Sequence, residues 1–330
     1  MNSFGRIFRV SIFGESHGES VGVNIDGCPA GLTLQLPDFL PDLERRKGGT
    51  QKGTTPRQEE DLPIFKSGLF NNVTTGAPIT ILFENKNTRS GDYEKLRSVP
   101  RPGHADFVAH QKFGGYEDYR GGGHFSGRLT LPLVGAGVIA KKLLKDITIS
   151  ASITEIGGEK NVESGLQRAI EQKDSVGGIV ECRVNGLPAG LGEPFFDSVE
   201  SLLAHAVFAI PAVRGIEFGT GFAAARMFGV EHNDAILDME GRTQTNHAGG
   251  IVGGISNGNE LVYRIAIKPT SSTPKQQHTL NWETGETEDF SVKGRHDLCI
   301  ALRVPPVLEA VTAIVLADLM CLENKLPRIL

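Results

Sequence analysis

The sequence predicts an α+β protein built in layers, and three observations predict it. Strand-like and helix-like segments are mixed along 330 residues without a steady βα alternation, which argues against a doubly wound parallel sheet. The strand-like runs are β-branched or alternating and are bounded by Gly, Asn or Pro. Two of the helical segments are so apolar that much of their surface must be buried between other layers. In chain order, RVSIF, VGVNID, ITILFEN, ITISASITEI, GGIVECRVNG and LVYRIAIK read as strands. SGRLTLPLVGAGVIAKKLLKD and the short amphipathic ESGLQRAIEQK have helical spacing, as do the apolar SVESLLAHAVFAI and PVLEAVTAIVLADLMCLEN. Strand-rich stretches run through the whole chain and no Pro/Ser linker divides it, so residues 1–330 are expected to form one domain.

Composition removes several function classes. With 39% hydrophobic and 22% charged residues and a net charge of −5, the chain has an ordinary globular make-up. It shows no Lys/Arg stripe with interleaved aromatics, so nucleic acid is not an expected partner. The four cysteines (Cys28, Cys182, Cys299, Cys321) form no C-x-x-C, which argues against a thiol-bound metal or a redox pair. MNSFGRIFRV is not a signal peptide, and no stretch reads as the ~18 apolar residues of a membrane span, so a cytoplasmic protein without a membrane partner is expected. Glycine is the outlier: 41 residues against a usual ~7% imply many tight turns and close backbone approaches.

Residues 45–61 and 270–291 are polar and lack apolar periodicity, so both read as loops. GESHG (14–18) has the letter pattern of a serine-hydrolase elbow, but the following VGVNIDG reads as a strand where that elbow needs a helix. GGTQKGTT lacks the lysine a phosphate loop requires, and no histidine spacing suits a catalytic metal.

The histidines point further. Five of nine have a glycine within two residues: His17, His104, His124, His247 and His296. An imidazole on a tight glycine turn beside Arg or Asp suits proton transfer near neutral pH. Around them lie Arg45, Arg46, Lys47, Arg101, Arg120, Arg128, Lys268 and Arg295, whose guanidinium forks and ammonium groups suit phosphate and carboxylate. RGGGHFSGR (120–128) concentrates both features, and KPTSS (268–272) adds hydroxyls after a strand. On residues alone the chain reads as an enzyme that handles a small phosphorylated metabolite by acid–base chemistry. A metabolite phosphatase and a non-catalytic nucleotide-binding module remain as alternatives.

GESHG, RRKGGT with TTPRQEED, RPGHAD, RGGGHFSGR, GIEFGTGF, NHAGGIVGGISNG, KPTSS and GRHDLCIALRVPPVLEA occur in one order along nearly the whole chain. In this the sequence closely resembles the chorismate synthase family. The resemblance implies a layered β-α-β sandwich, with antiparallel sheets around a helical core. It implies a lyase that eliminates phosphate from 5-enolpyruvylshikimate 3-phosphate with reduced FMN, as a homotetramer. NADPH or a separate flavin reductase would supply the electrons.

By matching positions, the resemblance makes His104 the acid for the departing phosphate and places His17 at the flavin N1 side. Asp297 would assist proton removal. It gives the substrate's anions to Ser16, Arg46, Arg101, Ser126, Arg128 and Arg295, with Arg46 also facing NADPH. FMN would lie against His124, Phe125, Ser126, Pro211, Ala212, Gly253, Lys268, Pro269, Thr270, Ser271, Ser272 and Arg295. The chain departs from the common family pattern at His124 and Phe125, where Arg and Ser are usual, so backbone contacts are expected there. It also carries Lys52 in place of a common arginine and RHDL in place of RHDP.

Overall fold

The computed structural model describes residues 1–49, 52–55, 59–87, 97–292 and 296–330. The first part of the chain contains β1 (Ser3–Phe4), β2 (Arg9–Gly14), β3 (Ser20–Asp26), α1 (Leu36–Arg46), β4 (Ile64–Ser67), the small hairpin β5 (Leu69–Phe70) and β6 (Val73–Thr74), and β7 (Ile79–Glu84). Next come α2 (Asp106–Phe113), α3 (Thr130–Leu143), β8 (Thr148–Ile156), α4 (Val162–Gln172) and β9 (Gly178–Asn185). The remainder holds α5 (Val199–Val207), β10 (Val213–Phe218), α6 (Gly229–His232), β11 (Ile251–Val252), β12 (Ile255–Ser256), β13 (Leu261–Ile267), β14 (Gln277–Leu280), β15 (Thr287–Phe290) and α7 (Val304–Leu322).

Two antiparallel sheets enclose a helical layer. Their strand orders are β1-β2-β3-β7-β4 and β10-β13-β9-β8. Period-two patterning builds the inner faces: Ile79, Ile81 and Phe83 of β7 are fully buried, as are Leu261 and Tyr263 of β13. Helix α3 packs on β3 and β7, α7 packs on β8 and β9, and the two helices pack on each other. Small residues allow this close approach. A Cβ at Gly137 of α3 would come within 2.2 Å of the Ala310 Cβ of α7. The result is the β-α-β sandwich expected above, and one apolar cluster runs from Phe8 to Cys321.

Several elements were not anticipated, among them α1, α2, β10 and the β14–β15 hairpin. Helix α1 contains Pro37 and Pro41, which read as breakers. Pro37 falls in the first turn, where an amide hydrogen is not needed, and burial of Phe39 and Leu43 offsets the bond lost at Pro41. Helix α2 has almost no apolar face, with only Ala109 buried. Strand β10 is an edge strand carrying Arg214 and Gly215 at a register shift. The polar segment 270–291, expected as a loop, folds as the β14–β15 hairpin, and Trp282 at its turn stacks on His110 of α2 with ring centroids 4.6 Å apart.

The membrane reading needs correction. Residues Ile300–Leu322 are long and apolar enough to cross a bilayer, with mean hydropathy 1.8, but 78% of that window is buried inside the fold. Two buried carboxylates in α7 fit a protein core better than lipid. Glu309 binds Arg45 and Lys141, and Asp318 accepts the amides of Arg6, Ile7 and Phe8 at 2.7–3.0 Å. Asp318 thereby pins the N-terminal segment ahead of β2.

Candidate active site

The run Arg120–Phe125 forms a kinked turn in which Gly121, Gly122 and Gly123 all have positive φ (60°, 82° and 52°). Side chains are excluded here by contact as well as by conformation. A Cβ on Gly121 would lie 2.5 Å from the His17 ring and 2.9 Å from Ser16 Oγ, and one on Gly122 would lie 3.2 Å from the His104 ring. The bare backbone is therefore a platform against which two histidines rest. Ser16 and His17 reach it from the turn between β2 and β3, and the Ser16 amide donates to the Gly123 carbonyl at 3.0 Å. No helix follows that turn, which removes the hydrolase-elbow reading of GESHG.

This platform lies in a cleft of about 650 Å³. Four of the five glycine-flanked histidines line it, namely His17, His104, His124 and His296, together with Arg46, Arg101, Arg128, Lys268, Asp297 and Arg303. His247 lies elsewhere, bonded to Thr220 Oγ1 at 2.9 Å and stacked on His232. In a protein of net charge −5, the cleft gathers cations, which favours an anionic occupant.

Arg101 and His104 share one carboxylate. Arg101 donates through Nε and Nη2 to Asp106 at 2.7 and 2.8 Å, and through Nη1 to Ser272 Oγ at 3.2 Å. His104 Nδ1 lies 2.6 Å from Asp106 Oδ1 and 3.1 Å from Arg101 Nη2. One ring nitrogen cannot serve both, and the shorter, charge-assisted contact puts the proton on Nδ1, directed at Asp106. Burial is the largest influence on the His104 pKa and lowers it from 6.5, with Arg101 and Lys268 acting in the same direction and Asp106 opposing. Asp106 is held well below the usual carboxylate range by its bonds to Arg101 and His104, against the penalty of burial.

Arg46 and Arg128 are buried and largely committed to the protein. Arg46, at the end of α1, donates to Thr130 Oγ1 and the Gly127 carbonyl, both at 2.9 Å, and faces Asp61. Burial and the nearby Arg303 push its pKa down to about 9, so it remains charged at neutral pH. Arg128 binds Asn85, Asp61 and the Glu84 carbonyl. Asp297 accepts from the Thr55 amide at 2.8 Å and from Arg303 Nη1 at 3.1 Å.

Among residues expected to face flavin, His124 bonds the Gly14 carbonyl and Asn2, and Phe125 lies beside Phe113. Ser126 caps the next turn by accepting the Arg128 amide. Lys268 donates to Ser271 Oγ at 2.8 Å and the Gly103 carbonyl at 3.0 Å, tying KPTSS to the RPGHAD turn. Pro211, Ala212, Pro269, Thr270 and Ser272 also line the cleft. Gly253 does not, because it forms the turn between β11 and β12. Arg295 lies outside the described residues.

Three of the cations singled out in the sequence turn elsewhere: Arg45 to Glu309, Arg120 to Asp118, and Lys52 to Gln167. Sequence reasoning missed Asp61, Asp106 and Arg303. The signal for Asp106 was present, since it is two residues from His104 in RPGHAD.

The model of the chorismate synthase family matches residues 8–321. The chain belongs to the chorismate synthase family. A chorismate synthase of Chitinophaga pinensis is 74% identical over 330 residues, covering 100% of this chain and 99% of the relative. One from Dehalococcoides mccartyi is 46% identical with the same coverages, and one from Methanocaldococcus jannaschii is 44% identical over 97% and 96% of the two chains. A crystal structure of chorismate synthase shares the fold, with a TM-score of 0.73 at 24% identity over 97% of this chain and 93% of the other. As a member of the chorismate synthase family, the protein is a carbon–oxygen lyase acting on a phosphate.

Proposed function

We propose that the protein eliminates phosphate from 5-enolpyruvylshikimate 3-phosphate by an anti-1,4 route to give chorismate, with reduced FMN as cofactor. The observation that carries this reading is the convergence of His17, His104, Asp297 and three buried arginines on one cleft in a chain of this family.

The residues present fit a flavin nucleotide. Leu133, Ile210, Pro211, Val307, Val311 and Ile314 give the cleft an apolar wall, suited to a flat ring. Lys268, Ser271 and Ser272 offer donors for a phosphate, and the buried Thr270 Oγ1 has no hydrogen-bond partner among the described residues. These groups, with the 124–126 turn and Ala212, would hold FMN. When bound, the reduced flavin supplies an electron-rich ring that eases loss of phosphate from a skeleton with no carbonyl to activate it.

The protein's own groups do the rest. Arg46, Arg101 and Arg128 hold the substrate's anions, with Ser16 and Ser126 adding hydroxyls. His104 keeps Nδ1 on Asp106 and gives the proton on Nε2 to the departing phosphate oxygen. An entering phosphate dianion raises the pKa that burial has lowered, so the acid is charged when its substrate arrives. Asp297, oriented by Thr55 and Arg303, takes part in removing the ring proton, and His17 would stabilise the reduced flavin. The exposed Phe195, Phe196, Phe222, Phe228, Val230 and Met239 support assembly into a homotetramer.

An anaerobic assay tests the reading by following phosphate and chorismate with and without reduced FMN. Both products should appear only with the reduced cofactor. Flavin-independent phosphate release from varied esters would make the protein a phosphatase, and flavin binding without turnover would make it a binding module.

A further inference from the structure

We infer that Asp106 is a positioning residue whose single carboxylate sets both the tautomer of His104 and the aim of the Arg101 fork. The inference rests on the reading of His104 as the acid and Arg101 as an anion grip. Asp106 Oδ1 lies 2.6 Å from His104 Nδ1 and 2.8 Å from Arg101 Nη2. Its Oδ2 accepts Arg101 Nε at 2.7 Å and the Arg101 backbone amide at 3.1 Å. The carboxylate therefore clamps both the main chain and the side chain of Arg101 while it touches the imidazole. Its place in the first turn of α2 favours the negative charge, and its side chain is 11% exposed, so solvent competes little for these bonds.

Two consequences follow for the cleft. With Nδ1–H directed to Asp106, only Nε2 is left to exchange a proton with a ligand, the same division of labour by which a buried carboxylate fixes an imidazole in hydrolytic triads. The charged groups facing His104 are Asp106, Arg101 and Lys268, and among them Asp106 alone favours the imidazolium. Neutralising Asp106 leaves two cations unopposed beside the ring. It also frees the guanidinium that bridges to Ser272.

The test reads His104 directly by ¹⁵N NMR of the full-length protein, alongside kinetics of Asp106→Asn and Asp106→Glu. In the wild type the neutral ring should carry its proton on Nδ1. In Asp106→Asn the His104 titration midpoint should fall by about one pH unit or more, the scale of losing one adjacent opposite charge. The alkaline limb of turnover should move with it, and KM should rise about tenfold from the loosened Arg101. Asp106→Glu should recover part of both effects. A neutral wild-type ring protonated on Nε2 overturns the inference, and so does an Asn variant with lowered stability but unmoved titration and KM. If the Asn variant does not fold, the wild-type tautomer decides alone. Near-normal turnover in His104→Ala would sink the acid assignment instead, while the tautomer and KM readouts still judge Asp106.

Discussion

Glu309, midway along α7, receives Arg45 through Nη1 and Nη2 at 2.8 and 2.7 Å, Lys141 at 2.8 Å and the Ala151 amide at 3.0 Å. Asp106, at the mouth of α2, receives Arg101 and His104 at similar distances. Both are buried carboxylates enclosed by cations, and both are held below their ordinary pKa by those partners against the cost of burial. They differ in what surrounds them. Every partner of Glu309 is a permanent cation or an amide, and the cluster links α1, α3, α7 and β8 away from the histidine-lined cleft. One partner of Asp106 is an imidazole, which gains and loses its proton near neutral pH, and another is a guanidinium that lines the cleft. The same pairing physics thus makes a staple in one place and a poised acid in the other, and the difference is whether a titratable partner faces open space.

The strongest way to break this comparison is at His104. His104→Ala should lower turnover by roughly 10²-fold or more, the usual scale for a general acid, while flavin binding and Tm change little. Near-wild-type kcat in that variant would strip the Asp106 cluster of its functional half. Glu309→Ala is the converse change. It should cost about 2–3 kcal/mol in urea unfolding, below the ~3–5 of a fully buried pair because Arg45 is 45% exposed, with kcat per folded molecule unchanged.

The sign of its pH dependence follows from the depressed carboxylate. Stability from Glu309 is present above its ordinary value of 4.5 and is lost as pH falls through the lower folded value. Glu309→Ala should therefore show a shallower acid decline than the wild type. An equally steep decline, or a loss of kcat, would mean that the two clusters are not separate in kind.

Much of this was legible in the residues because backbone chemistry leaves marks. Glycine beside histidine marked four cleft residues, and within the 121–123 run the His17 and His104 rings are what exclude a Cβ from Gly121 and Gly122. His247 carries the same mark and lies elsewhere, because a tight turn can serve the fold alone. The alternating strands and apolar helices gave the sandwich through periodicity. Helix α1 was hidden by its prolines, α2 by apolar residues that gather on no one face, and the β14–β15 hairpin by polar residues that show no apolar alternation. Arg45 and Arg46 are adjacent, yet one staples the core and the other lines the cleft. A helix turns neighbours about 100° apart, and sequence alone did not reveal α1. Arg303 and Asp61 became visible only when the fold brought them to Asp297 and Arg128.

The pH dependence of wild-type kcat/KM and kcat, measured together, bears most directly on the acid assignment. In the free enzyme, burial with Arg101 and Lys268 keeps His104 below 6.5, whereas a bound phosphate dianion raises it. The alkaline limb of kcat/KM should therefore lie about one unit or more below that of kcat, since the first reports the free enzyme and the second the complex. Limbs that coincide, or a kcat/KM profile with no alkaline fall at all, would contradict the account.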